Sequence, residues 1–414
     1  MKKLNYNHTR LACYFFYIAA AAAFALPSLL FATFRELYGI SYTLLGFLVV
    51  VCFITQLAVD LIFSFFSHHF NIHKTIRAMP LLTALGLFIY ALVPMLAPKY
   101  AYSGFVLGTF IFSVSAGLGE VLISPTIAAL PSDNKDRDMS LLHSIYGYGV
   151  VLVVVVSTLF LKLMGKENWM YLTFFWAALP VLASVFLTIS PLPEMHIGGN
   201  TDKTESSAFR RKSMLLCMLC IILGACAECT ITSWVSVYAE KALNIPKVYG
   251  DVFGMCLFAG LLAITRTAYA KYGKNIYKTL KVSMLCSAVL YVAVAFIGNP
   301  VISILACAML GVSTAMLWPG SLILMEEKIP GVGVAAYALM AAGGDSGASV
   351  APQLMGIVID NVAITDWAAK VANYLSLTPE QIGFKVGMLA TAIFPILGFC
   401  LLLYIKKHFN KTSV

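Results

Sequence analysis

The sequence predicts an all-α membrane protein of twelve transmembrane helices, arranged as two six-helix pseudo-repeats. Three observations predict it. Of 414 residues, 60% are hydrophobic and 11% are charged, with a mean hydropathy of +0.86; soluble domains carry about 25% charged residues. Apolar runs of about 20 residues, enough to cross a bilayer, recur along the whole chain. The polar stretch at 191–212 divides them six and six.

The spans are read at 10–32, 42–66, 75–97, 101–130, 139–162 and 168–190, then at 213–240, 249–271, 276–298, 301–325, 333–360 and 384–405. None alternates polar and apolar residues as a membrane β-barrel strand does. The first run is long enough to span and lacks a small-residue cleavage site, so it reads as a helix and not a cleavable leader. The first half is residues 1–190, the linker 191–212 and the second half 213–414. An internal echo supports the division. "NIHKTIR" at 71–77 returns as "NIYKTLK" at 275–281, each between the second and third spans of its half. A weaker echo relates "GLGEVLISP" at 117–125 to "GVSTAMLWP" at 311–319, both in a fourth span. Parallel six-span repeats with a central linker are the organisation of the major facilitator fold, whose ligand sites lie near the bilayer midplane. In the long loop at 361–383, "AITDWAAKVANYL" reads as a short surface helix. Thr378 followed by Pro379 then reads as the N-cap and first turn of the last span.

Charge fixes an expected orientation. The termini and even-numbered loops hold 19 Lys and Arg, and the odd-numbered loops hold 8. The positive-inside rule places both termini in the cytoplasm. The net charge of +9 is thereby a topological signal, and nucleic acid is not expected as a partner. Cys217-x-x-Cys220 and Cys226-x-x-Cys229 share one helix and face opposite ways, so they read as packing residues and not as a metal site. His68, His69 and His73 read as a solvated loop. No metal or cofactor is expected.

The informative residues are charges inside the spans: Asp60, Glu120, Glu228 and Asp345, with Arg266 as the one base. A charge at bilayer depth costs about 2.5–3.5 kcal/mol, so such groups turn toward the bundle interior or a wet cavity. A carboxyl that gains and loses a proton there is what proton coupling requires. Glu120, Asp345 and Glu228 are the coupling candidates. Ser113, Gly117, Glu120 and Ser124 form one helical stripe, and Pro125 frees the carbonyl of Val121. Gln56, Asp60, Ser64 and Ser67 form another. Asp60 and Arg266, both at cytoplasmic depth, read as gating or structural ion-pair residues. Glu228 is the expected partner of Arg266. Asp345 follows Gly343-Gly344, where a loosened helix would expose carbonyls to a cavity. Tyr146, Tyr148, Trp234 and Trp318 carry aromatic faces with a polar handle, suited to sugars and other flat, partly polar solutes, or to interface packing. His143 reads as a relay or hydrogen-bonding residue, or as a satisfied interface histidine.

The run "GLGEVLISPTIAALPSDNKDRDMSLLHSIYGYG" resembles the fourth and fifth spans of bacterial fucose-permease-type sugar–proton symporters, a branch of the major facilitator superfamily. The resemblance implies that Glu120 carries the proton. It sets Ser124-Pro125 on the branch's Asn-Pro, and His143 and Tyr146 on substrate-facing positions. The branch's first-span aspartate falls at about Ser28, which joins the expected lining. The superfamily's loop signature, Asp-Arg-x-Gly-Arg, is reduced here to "SHHFNIHK".

The expected function is secondary active transport of a small polar solute, a sugar, by alternating access with proton coupling. A drug or metabolite exporter is the alternative; the span-five run "YGYGVVLVVVVSTLF" lacks the proline that such exporters carry. No nucleophile–base pair or metal set marks an enzyme. The expected partners are the solute, protons and the lipid of a bacterial inner membrane, with the chain as a monomer.

Overall fold

The computed structural model describes residues 5–66, 69–131, 135–194, 208–329 and 334–410. Of the linker expected at 191–212, residues 195–207 lie outside the described residues, as do Ser67 and His68. The described chain is helical throughout, with no strand. In the first half run α1 (Tyr6–Tyr38), α2 (Tyr42–Phe66), α3 (Ile72–Leu96), α4 (Ala101–Ala129), α5 (Lys135–Met164) and α6 (Trp169–Ile189). In the second run α7 (Ala208–Val237), the short α8 (Lys247–Gly250), α9 (Leu257–Tyr272), α10 (Ile276–Phe296), α11 (Pro300–Thr314) and α12 (Leu317–Lys328). They are followed by α13 (Val334–Ala363), α14 (Asp366–Leu375), α15 (Pro379–Thr391) and α16 (Ile393–Asn410). Among the described residues, eleven helical stretches are long and apolar enough to cross a membrane. Leu339–Ala363 makes a twelfth, taken together with α14, which turns away from it by 82°.

The chain divides into two units: residues 1–40 with 51–199, and residues 41–50 with 200–414. The first ten residues from Ser41 therefore group with the second unit, a division the sequence does not announce. Local chemistry explains the repeat. Asn71 caps α3 by accepting from the Lys74 amide at 3.0 Å, and Asn275 caps α10 by accepting from the Lys278 amide at 2.9 Å. Each cap is worth about 1 kcal/mol. The echoed heptads are thus two copies of one helix start. The pattern continues inward. Thr83 on α3 donates to Ser115 on α4 at 2.8 Å, and Ser287 on α10 donates to Ser313 on α11 at 2.9 Å.

The core of the first unit includes an aromatic nest: Phe34 stacks on Phe105 at 4.2 Å, and Trp169 meets Phe34 edge-on at 4.9 Å. In the second unit, the Tyr42 and Thr43 amides donate to Asp360 at 3.2 and 2.6 Å, tying the start of α2 to α13. The expected surface helix is α14, capped by Thr365. Thr378 caps α15 with a reciprocal Gln381 capping box and Pro379 at its first position.

Candidate functional site

In each unit, charged side chains that the sequence places inside spans come together. In the first, Glu120 on α4, Asp60 on α2 and Tyr17 on α1 converge. Two glycines make this possible. A Cβ on Gly117 would stand 3.0 Å from Val59, and one on Gly119 would stand 2.7 Å from the Phe16 ring. Their hydrogens let α4 settle against α2 and α1, and Glu120 follows directly. Glu120 and Asp60 are close enough for their charges to repel, and the Glu120 charge also reaches the Tyr17 phenol. The Tyr17 hydroxyl lies 3.4 Å from the Ser124 hydroxyl. Asp60 is 6% exposed, and its Oδ1 is buried with no hydrogen-bond partner among the described residues. Glu120 is exposed, although helices α1 and α2 flank it. Carboxyls at bilayer depth favour the bundle interior or water over lipid.

Next to this cluster, Phe24 on α1 meets Tyr146 on α5 edge-on at 6.0 Å and Phe53 on α2 at 6.4 Å. Tyr146 is half-buried, as are Phe24 and Phe53. Ser28, one turn along α1 from Phe24, is buried at 8% exposure. The backbone of His143 lies in α5; its side chain is outside the described residues, as is that of Ser64. Sequence reasoning missed Tyr17, Phe24 and Phe53. No charge marks them, and only the packing of α1 against α2, α4 and α5 singles them out.

In the second unit, Arg266 on α9 donates through Nη2 to Glu228 Oε1 on α7 at 2.7 Å, and through Nε to the Ala315 carbonyl at 2.9 Å. Ala315 stands at the break between α11 and α12. An interrupted helix leaves carbonyls unpaired, and the guanidinium satisfies this one. The partner of Arg266 is therefore the expected Glu228. Asp60, read together with Arg266 as a gating residue, instead belongs beside Glu120 in an acid pair. Glu228 Oε2 is buried without a partner among the described residues. Asp345 on α13 is 2% exposed. The charges of Asp345, Glu228 and Arg266 all reach the Cys229 thiol of α7.

Two expectations are corrected here. No loosening occurs at Gly343-Gly344, because α13 runs unbroken over Val334–Ala363. The glycine serves close packing instead: a Cβ on Gly344 would collide with the Trp318 ring. Trp318 itself is half-buried beside Asp345's helix. Trp234 offers no surface to a solute. It is fully buried, its indole donates to the Pro352 carbonyl at 3.0 Å, and its ring packs edge-on with Tyr42 at 5.7 Å.

A further buried acid escaped the sequence reading. Asp251, at the start of a π-helical turn after α8, is 0% exposed and accepts from Ser236 at 2.5 Å, with Lys247 at 3.5 Å. The Lys247–Asp251 spacing of four was its available signal. Among the described residues, no group of His, Cys, Asp and Glu could hold a metal ion.

Residues 12–352 match the model of the Major Facilitator Superfamily. No curated protein sequence matches the chain. Among solved structures, the chain resembles a D-xylose–proton symporter at 14% identity and TM-score 0.72, covering 94% of this chain and 96% of that one. It resembles a bacterial homologue of the human lysosomal transporter Spinster, inward-facing and occupied, at 11% identity and TM-score 0.75, covering 98% and 97%. It also resembles the E. coli fucose:proton symporter at 15% identity and TM-score 0.57, covering 95% and 98%. At such identities these likenesses are of fold alone. The family match spans most of the chain, and the apolar helices agree with it: this multi-pass membrane protein belongs to the major facilitator superfamily and is a transporter.

Proposed function

We propose that the chain moves a small polar solute of the sugar class by alternating access, driven by protons that bind the Asp60–Glu120 pair. One observation carries the reading: α4 packs on α2 at Gly117 and Val59, which brings Glu120 within the field of Asp60, whose Oδ1 is buried and unbonded among the described residues. Like charges placed side by side favour one shared proton over two ionised groups. Release of that proton to the other side, once access has changed sides, links the gradient to transport. Tyr17 and Ser124 supply hydroxyls beside the pair. The Phe24–Tyr146 edge-to-face contact supplies an apolar wall of the kind that sugar rings lie against. His143 and Ser28 complete the candidate lining on the first unit; Trp318 and Asp345 are candidate lining residues of the second unit taken by itself. The D-xylose and fucose symporters among the neighbours in fold support proton-coupled sugar transport. The resemblance at 117–149 favours the fucose-permease branch. Both termini face the cytoplasm by their charge, in a bacterial inner membrane.

The test is internal pH in sealed vesicles holding the purified protein, with a panel of sugars added outside. Sugar-dependent proton influx in wild type, absent in Glu120→Gln, is the expected result. Equal influx in both proteins removes Glu120 from the mechanism. No influx with any sugar removes the sugar–proton assignment.

A further inference from the structure

Arg266 is held as a structural residue would be, yet one edge of it is unused. Its guanidinium has five N–H donors in a planar fork. Nε is taken by the Ala315 carbonyl and Nη2 by Glu228. Among the described residues nothing accepts from Nη1, and that nitrogen is not buried. The side chain is 29% exposed.

The open edge does not face lipid. On α9 the lipid-exposed side is marked by Ile264, which is 58% exposed, whereas Ala263 is 2% exposed. Arg266 lies two residues beyond Ile264, a rotation of about 200°, so it projects from the opposite side, toward Glu228 and the break before α12. An N–H edge left without a partner in hydrocarbon costs several kcal/mol. An edge left open on the inner side is paid nothing by lipid and has to meet water or a solute.

The geometry points to Arg266 as the residue that binds an oxyanion on the transported solute, through Nη1, so that the solute is a carboxylate-bearing sugar-sized molecule of the uronate kind. Two fixed contacts hold the fork in place, so little side-chain freedom is lost when the third forms. A planar, pre-positioned guanidinium matches a carboxylate better than a flexible ammonium does. The surrounding charges set a condition on binding. Glu228 already balances Arg266. The Ala315 carbonyl adds a dipole from the break between α11 and α12, and the charges of Asp345 on α13 and Glu228 on α7 both reach the Cys229 thiol. An arriving carboxylate therefore adds negative charge beside Glu228, and it arrives favourably together with a proton. This rests on the proton-coupled reading above and names the charge of its solute.

The test uses the full chain purified in detergent, with thermal stabilisation measured against matched pairs: D-glucuronate with D-glucose, and D-galacturonate with D-galactose. The acids are expected to stabilise at concentrations about tenfold lower than their neutral partners, the equivalent of one charged contact. Arg266→Lys keeps the charge and loses the fork, and is expected to lose about that tenfold. The double variant Glu228→Gln with Arg266→Gln removes both charges, leaves none unpaired, and is expected to abolish the preference for acids while remaining folded. If neither acid is preferred over its neutral partner, or if the double variant keeps the preference, the inference is overturned. Internal pH in vesicles separates it from the reading beneath it. Glu120-dependent proton influx driven only by neutral sugars overturns the anion site and leaves proton coupling standing. Preference for acids that requires Arg266, with no proton influx on their addition, supports the anion site and overturns proton coupling.

Discussion

The acid pair in the first unit predicts how steeply the protein can concentrate its solute. A secondary transporter at equilibrium multiplies the solute gradient by the proton gradient raised to the number of protons carried. One pH unit is worth about 1.4 kcal/mol per proton, a factor of about ten. Asp60 and Glu120 lie within each other's field, so they act as one site that holds a single exchangeable proton. With no membrane potential, wild type should accumulate about tenfold at a gradient of one pH unit, and about a hundredfold at two. Two independent carboxyls would give those factors squared. Glu120→Gln should equilibrate its solute and accumulate none, because Asp60 alone is only 6% exposed. The assay is uptake of labelled solute into proteoliposomes, with the potential clamped by potassium and valinomycin and the pH step imposed by dilution. Accumulation near a hundredfold at one pH unit would refute the shared proton. Accumulation by Glu120→Gln at the wild-type level would refute the pair as the coupling site.

The remaining predictions concern how the site is supported. Gly119→Ala forces a methyl to 2.7 Å from the Phe16 ring and should cost about 1–3 kcal/mol of stability, read as a lower unfolding midpoint in detergent; an unchanged midpoint would mean that α1 and α4 do not need this approach. Asn71→Ala and Asn275→Ala should each cost about 1 kcal/mol, with similar shifts because the two caps are structurally the same. Trp234→Phe loses the indole bond to Pro352 and should cost about 1 kcal/mol, while solute affinity in equilibrium binding stays at wild type; a large loss of affinity would restore Trp234 to the lining.

What was legible in the sequence follows from how each signal is encoded. Span count, the two-by-six division and the paired helix starts are local properties: an apolar run, a polar break, an Asn three residues before a lysine amide. A linear reading recovers these because no distant residue is needed to define them. The four acids and Arg266 were legible for the same reason, since an ionisable group in an apolar run stands out by its cost. Partnership is different. Depth alone grouped Asp60 with Arg266, and depth is shared by every helix at a level. What separates them is rotation: Arg266 turns to Glu228 and the Ala315 carbonyl, and Asp60 turns to Glu120. Trp234 shows the converse. Its composition suits a solute, but its indole is spent on Pro352 and its faces on Tyr42 and Phe384. Gly344 shows why a motif misleads, because the missing side chain that could loosen a helix is used to seat Trp318. Asp251 was missed because it sits where a span begins, and an acid there reads as solvated until Ser236 and Lys247 are seen to enclose it. The residues that the sequence singles out are therefore those whose burial is intrinsically costly. The residues it misassigned are those whose role is set by what they face. Substrate recognition belongs to the second kind, and for that reason the open edge of Arg266, and not any motif, says most about the solute's charge.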